Sequence, residues 1–519
     1  MQQHLHHRSL SWLWPLLFIL ASSCGTTRRG LPADPSANIT FTILHFNDVY
    51  EIAPLEGGKA GGLARVATVK KELMRENPNT IAVLAGDFLS PSVIGTLKKE
   101  DGERIAGQQM VEVLNAMGLD YATFGNHEFD LKDAGLLQKR INQSAFEYTV
   151  CNVRRADLGK LFPFVQEVDG QERYIPRYII HEFSNAEGQR VRVGIIGVVL
   201  PFNKASYVAY EPVTQAFRET YEELKPQVDL VLGLTHLNED EDIGLAREVP
   251  GPLLFMGGHD HVNMNHYSEE TIITKADANV KSVYIHRIAY NPASGFAKVR
   301  STLKKIDDSI PDDPATQAVV DKWQGQVYGI MKDMGYAPDE QLMFAEVPLE
   351  CKEPAVRSRP TNYGRLTVDA FAAAWPGADV YLINGGAMRM DDDIQGVVTQ
   401  YDVLRTFPFG GPIARMGLPG DALARLLETG LVTNRGDGGY LQIKNAERTG
   451  NQWSINGAPL EKNKNYTVVL PEFVAQGNEQ NLGFLGDFPH QTEKTFDIGG
   501  RQVRNDVRDL VIDYMKRLE

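Results

Sequence analysis

The chain has 519 residues, 43% of them hydrophobic and 23% charged, enough apolar material for two or more packed domains. Its net charge of −14 argues against a nucleic-acid polymer as partner, because phosphate binding needs a basic face. The same balance is compatible with an anionic small molecule, since bound cations and a few arginines make a pocket locally positive.

The first stretch, "MQQHLHHRSLSWLWPLLFILASSCG", opens polar and weakly basic, runs apolar from Leu10 to Leu20, and reaches small residues before Cys24. It is too short and wrongly flanked for a bilayer span, and it predicts an export signal over 1–24 followed by a linker over 25–38. The ending "LASSC" resembles a bacterial lipobox, with the leucine one place early. That resemblance implies a lipid on Cys24, a periplasmic or cell-surface location, and membrane contact through the anchor alone. Cys151 and Cys351 read as separate core thiols, because one possible bridge in a chain this long is no disulfide framework.

From 39 to 305, short apolar runs alternate with helical stretches, the pattern of a layered α/β fold. "FTILHFND", "TIAVLAGD", "LDYATFGNHE", "VDLVLGLTHL" and "GPLLFMGGHDH" each read as a buried strand ending abruptly in Asp, Asn or His. "GGLARVATVKKELMREN" predicts an amphipathic helix closing near Asn77 and Pro78. Residues 306–340 break the rhythm: an acidic, proline-bearing turn precedes Val319, Val320, Trp323, Val327, Ile330 and Met331 at helical spacing, which predicts a linker helix over 315–335. A second α/β domain is expected over 341–519, with strands such as "VYLIN" and "NYTVVL" and helices such as "DALARLLETG".

Ligands in open α/β sheets gather beyond the carboxyl ends of strands. The residues placed there are Asp48, Asp87, Asn126 with His127, His236, and His259 with His261. Asp oxygens and His nitrogens together suit Zn, Mn, Co or Fe better than Ca. Five such ends on successive buried strands fit a metal site and are hard to explain by packing. At an extended strand end, residues two apart point to one side, so His259 and His261 are expected to face the same pocket.

The order Asp48, "GD" at 86–87, "GNHE" at 125–128, "TH" at 235–236 and "GGHDH" at 257–261 resembles the calcineurin-like metallophosphoesterases. More narrowly, "ILHFND", "TFGNHEFD" and "GGHDH", with "NYGRLTVDAF", "LINGGAMR" and "VLRTFPFGGPIARMGLPGDALARLLE", resemble the 5'-nucleotidase and UDP-sugar hydrolase family. The resemblance implies a four-layer β-sandwich flanked by helices, a linker helix, and a second α/β domain that binds substrate. It implies two cations, one on Asp48, Asp87 and His261, the other on Asp87, Asn126, His236 and His259, with Asp87 bridging. A hydroxide held between such cations attacks phosphorus in line. His127 and Asp130 resemble the family's His–Asp pair, which stabilises the transition state or protonates the leaving oxygen; Asp130 can also cap the following helix.

The chain departs from the family where a His ligand should follow Asp48 by two residues: Tyr50 stands there. A phenol with an ordinary pKa of about 10 either loses its proton to a strongly Lewis-acidic ion such as ferric iron, or hydrogen-bonds to a water of the shell. His45 reads as structural. On the substrate side, Arg357 or Arg359, with Asn384 and Arg389, match family positions that hold phosphate or ribose; Arg357 fits better. Phe409 resembles one aromatic of the base sandwich, and Phe484 is the candidate partner or else a plain core residue, with Phe473 or Phe488 open to a core reading and Glu479 where an Asp is expected. The acids of "MDDDI" read as a hydrated turn.

The expectation is an exported, metal-dependent phosphohydrolase acting on a small nucleotide-type substrate, a nucleoside 5'-monophosphate first. The alternatives are hydrolysis of a UDP-sugar or a 2',3'-cyclic nucleotide by the same cluster, or a surface-binding protein that kept the fold and lost turnover.

Overall fold

A computed structural model describes residues 38–201, 205–390, 393–450 and 452–518. The expected export signal, Cys24, residues 25–37 and the acids Asp391 and Asp392 lie outside the described residues.

Two six-stranded sheets face one another. The first takes Phe296–Lys305, Ser282–Asn291, Ile39–Phe46, Thr80–Ala85, Tyr121–Thr123 and Glu147–Tyr148 in spatial order. The second takes Met264–Ser268, Thr271–Lys275, Leu254–Gly257, Leu230–His236, Arg190–Val199 and Tyr178–Ser184. Alternate residues of a strand face opposite sides. Ile43 and Val83 therefore meet Ile195, Leu234 and Met256 between the sheets, while Leu44 and Leu84 turn outward to Val66, Val69 and Leu114. Those last residues belong to the helices Leu63–Glu76 and Gln108–Met117, the first ending at Asn77 as its sequence predicts. On the far side, Phe217, Leu224 and Leu245 of Val213–Leu224 and Glu239–Glu248 cover Ile196, Val198 and Phe255. Strands buried on both faces need continuous apolar runs, and the expected four-layer arrangement follows.

Within each sheet the central strands are parallel. Ile39–Phe46 runs with Thr80–Ala85 and Tyr121–Thr123, and Arg190–Val199 runs with Leu230–His236 and Leu254–Gly257. Their carboxyl ends therefore open at one rim, and the polar residues after them share it. Lys275, at the end of Thr271–Lys275, fastens this rim from below. Its buried ammonium donates to the Leu237 carbonyl at 2.6 Å, to Asp242 at 2.9 Å and to Asp260. Burial opposes that charge, but Asp242 and Asp260 hold the pKa above its ordinary value.

The helix predicted over 315–335 occupies Pro314–Asp333, capped by the Asp313 carboxylate, which accepts from Thr316 N. It is not a loose connector. Val320, Trp323, Val327 and Met331 are buried in the same cluster as the helices Leu63–Glu76 and Gln108–Met117, and Trp323 Nε1 donates to Glu112 Oε2 at 2.9 Å. Beyond it lies a five-stranded sheet ordered Leu441–Lys444, Val380–Asn384, Asn465–Pro471, Ile413–Pro419 and His490–Thr492. Its core joins Val380, Leu382 and Val468 to Leu423 and Leu426 of the helix Gly420–Glu428. Cys151 and Cys351 are separate buried thiols, as expected.

Two substitutions test this framework by urea unfolding of the full chain. Trp323→Ala is expected to cost roughly 3–5 kcal/mol through the cavity it leaves. Lys275→Met strands the buried Asp242 carboxylate without its partner, a further case of roughly 3–5 kcal/mol; unfolding unchanged within 1 kcal/mol, on the order of a surface substitution, would contradict either assignment.

Candidate metal centre

The rim gathers residues that are far apart in the chain. Asp48 and Asp87 are fully buried, each with one oxygen engaged by the fold. Asp48 Oδ2 accepts from Asn47 Nδ2 at 2.7 Å and from His259 N at 2.8 Å. Asp87 Oδ1 accepts from His127 N at 2.7 Å. The other oxygens face the pocket. Asp48 Oδ1 is 3.2 Å from His261 Nε2 and 3.4 Å from the Tyr50 hydroxyl. Asp87 Oδ2 is 3.4 Å from that hydroxyl and 3.1 Å from His236 Nε2. Asn126 Oδ1 lies 3.2 Å from His236 Nε2 and 3.1 Å from His259 Nδ1. One group thus forms around Asp48, Tyr50 and His261, another around Asn126, His236 and His259. Asp87 reaches both through Oδ2 alone, not through two oxygens.

The backbone explains the convergence differently from the sequence. His259 and His261 do not continue an extended strand. They sit at φ 85° and 62° in a loop after Leu254–Gly257, and Asp48 and Asp87 are also left-handed at 52° and 55°. Non-glycine residues adopt that region rarely and at a cost, and clusters of them mark functional sites. Two glycines allow the close approach. A Cβ on Gly125 would stand 2.1 Å from Asp87 Oδ1, and one on Gly258 would stand 2.4 Å from the Ala85 carbonyl.

Buried polar supports hold the loops, His45 among them as expected and Glu128 unforeseen. The Glu128 carboxyl group accepts from the amides of Asp87, Phe88, Leu89 and Gly125 at 2.6–3.0 Å, joining two loops around one buried side chain. Its adjacency to "GNH" was the available signal. His45 Nε2 contacts the Gly257 carbonyl at 3.0 Å, and burial pushes its pKa down to about 3, so it braces the histidine loop as a neutral ring. His236 Nδ1 meets the Ala85 carbonyl at 2.7 Å, a contact that requires the N–H there and turns Nε2 toward the pocket.

The electrostatics fit cations. Burial alone would favour neutral carboxyls, but His261 and His236 beside Asp48, and His236 and His127 beside Asp87, hold both below the usual range. Burial likewise disfavours a charged His236, yet Asp87 and Asp48 push it up to about 9. Burial, with His236 alongside, pushes His259 down to about 4, leaving a neutral imidazole. Asp87, His236 and His259 bring donor atoms within 4.8 Å of one another. Two buried carboxylates drawing positive charge, beside neutral imidazole and amide donors, are the donor set that transition or divalent metals take.

His127 turns away from these donors. Its Nδ1 is 2.6 Å from Asp130 Oδ2, and Nε2 is 3.3 Å from Arg389 Nη2 of the second domain. Asp130 does not cap the next helix; Asp133 does, accepting from Gly135 N. Arg357 Nη2 and Arg389 Nη1 share the buried Glu353 carboxylate at 2.7 Å and 3.0 Å, whereas Arg359 pairs with Glu350 at the surface. Those guanidiniums, foremost Arg357, outweigh burial and lower Glu353 to about 2, and His261 and His127 add to the effect. Glu353 escaped the sequence reading; its place one helical turn before Arg357 was the signal. Asn384 donates to Glu479 Oε2 at 2.5 Å.

The aromatic assignment changes. Phe484 is half-buried against the second domain's core with the Arg425 guanidinium 4.0 Å above its ring. Phe473, read as core, is 53% exposed, and Phe409 is 61% exposed. Their segments are joined where Glu472 N donates to the Pro412 carbonyl at 2.9 Å. Phe488 is half-buried on the core, as expected.

Comparison with known proteins agrees with this geometry. The calcineurin-like phosphoesterase family matches residues 41–263, and the 5'-nucleotidase C-terminal domain matches residues 341–485. A 5'-nucleotidase of Homo sapiens is 24% identical over 504 residues, covering 84% of this chain and 83% of its own. A snake venom 5'-nucleotidase of Naja atra is 24% identical, covering 92% and 96%. The crystal structure of a 5'-nucleotidase precursor from Thermus thermophilus superposes with a TM-score of 0.71 at 21% identity, covering 92% of this chain and 96% of that one. Two domain matches in the same order, on a rim that assembles the donors of a metal centre, place the chain in the 5'-nucleotidase family of calcineurin-like metallophosphoesterases, metal-dependent hydrolases of phosphate esters.

Proposed function

We propose that this protein hydrolyses phosphate monoesters at a dimetal centre, with nucleoside 5'-monophosphates as the first substrates to test, and that it does so outside the cytoplasm. The observation that carries the reading is the meeting of His127 with Arg389, which sets a phosphate-seeking guanidinium of the second domain against the donor cluster of the first. Export is supported by the apolar run Leu10–Leu20, and a lipid anchor by the small residues before Cys24.

Two cations, when bound, supply an activated water and neutralise the phosphoryl oxygens. Asp48, Asp87, Asn126, His236, His259 and His261 would hold them. His127 keeps Nδ1 on Asp130, so Nε2 is the atom that meets the phosphoryl or leaving oxygen and can deliver a proton there. Arg357 and Arg389 receive phosphate oxygens through planar forks that Glu353 aims. Phe409 and Phe473, not Phe484, are the exposed rings available to flank a base, and the Asn384–Glu479 pair offers polar atoms to sugar hydroxyls. The nucleotide reading also draws on the relatives named 5'-nucleotidase.

Phosphate release from nucleoside 5'-monophosphates, UDP-glucose and 2',3'-cyclic nucleotides, under Mn, Co, Zn and Mg, tests the reading. Fastest turnover on monophosphates is expected; a metal-free protein inert towards every ester would favour a binding protein instead. His127→Ala should lower turnover by roughly two or more orders of magnitude with metal content intact. Glu353→Gln should raise KM roughly tenfold, the loss of about 1.4 kcal/mol of charge-assisted hydrogen bonding, with kcat little changed. A lower KM would instead mean that Glu353 competes with substrate phosphate.

A further inference from the structure

Tyr50 lies inside the donor set, not behind it. Its hydroxyl is 3.4 Å from Asp48 Oδ1, 3.4 Å from Asp87 Oδ2 and 3.0 Å from His261 Nε2, and those last two residues of the first group, Asp48 and His261, are 3.2 Å apart. Donors about 2.1 Å from one cation, at angles between roughly 90° and 109°, stand about 3.0–3.4 Å from each other. The triangle of Tyr50, Asp48 and His261 has those edges.

A hydrogen bond accounts for the His261 contact at 3.0 Å but not for the two carboxylate contacts. A phenol donating to a carboxylate settles at about 2.5–3.0 Å, and both carboxylates stand at 3.4 Å. A phenol reaching the shell only through a water would stand back by one more layer. Instead, the ring is fixed at the rim, 7% exposed, by its own backbone: Tyr50 N donates to Asn279 Oδ1 at 2.9 Å.

The two groups also differ in charge. The first offers oxygens of Asp48, Asp87 and Tyr50 with one imidazole, the second offers an amide oxygen, two imidazoles and the shared Asp87. Three hard, anionic oxygens suit a trivalent ion, and a nitrogen-rich set suits a divalent one.

We propose that the Tyr50 oxygen is a direct ligand of the first cation, which makes that position a tyrosinate site matched to ferric iron beside a divalent neighbour. The inference rests on the dimetal reading above. On binding, the Tyr50 O–H bond breaks, an oxygen–metal bond forms and the proton passes to solvent, with no change of oxidation state.

The test is optical and stoichiometric. The full-length protein is stripped with a chelator and reloaded with ferric iron and zinc, one equivalent each. The wild type is expected to show a visible tyrosinate-to-iron absorption band; Tyr50→Phe should lack the band and retain half the metal, and Tyr50→His should lack the band yet hold both equivalents. Two bound equivalents without a band in the wild type, or a band that survives in Tyr50→Phe, would overturn the ligand assignment and leave the dimetal reading standing. A folded wild type that takes up no metal would overturn both.

Discussion

Two buried carboxylates that keep their charge set the terms for this molecule. Asp48 and Asp87 are fully buried, and desolvation of an ion is costly unless something of opposite charge compensates it. The fold supplies that compensation through His236, His261 and His127. The strand ends that the sandwich forces together therefore form a set of anionic and imidazole donors of the kind that cations take.

The surrounding structure keeps this donor cluster assembled. Glu128 ties two loops with four amide bonds, His45 braces the histidine loop from within the sheet, and Lys275 gathers the ends of three neighbouring segments. Left-handed backbone at Asp48, Asp87, His259 and His261 is unfavourable locally and persists because such contacts over-determine it. Rigid aim has a purpose, since ligands misplaced by a fraction of an ångström lose both affinity and chemistry.

The second domain completes the pocket from the opposite side. Arg389 stands over His127, Tyr401 donates to Glu51 Oε2 at 3.0 Å beside Tyr50, and Arg405 lines the same cleft. One domain thus carries the donor residues while the other brings two arginines to their edge, with Glu353 holding Arg357 and Arg389 as a pair.

Much of this could be read from the chain alone. Apolar runs that end in Asp, Asn or His announced both the layered fold and the residues at the rim, because buried strands must be continuous in apolar character and the helix Leu63–Glu76 must be periodic. Side-chain direction was another matter. The histidines converge through positive φ rather than strand alternation, Asp87 faces both donor groups with one oxygen because a backbone amide takes the other, Asp133 rather than Asp130 caps its helix, and Phe473 rather than Phe484 is exposed. Sequence fixes which groups are present and in what order along the chain. Only packing decides which lone pair, which ring face and which carboxylate oxygen remains available, because those depend on partners hundreds of residues away that compete for the same atoms.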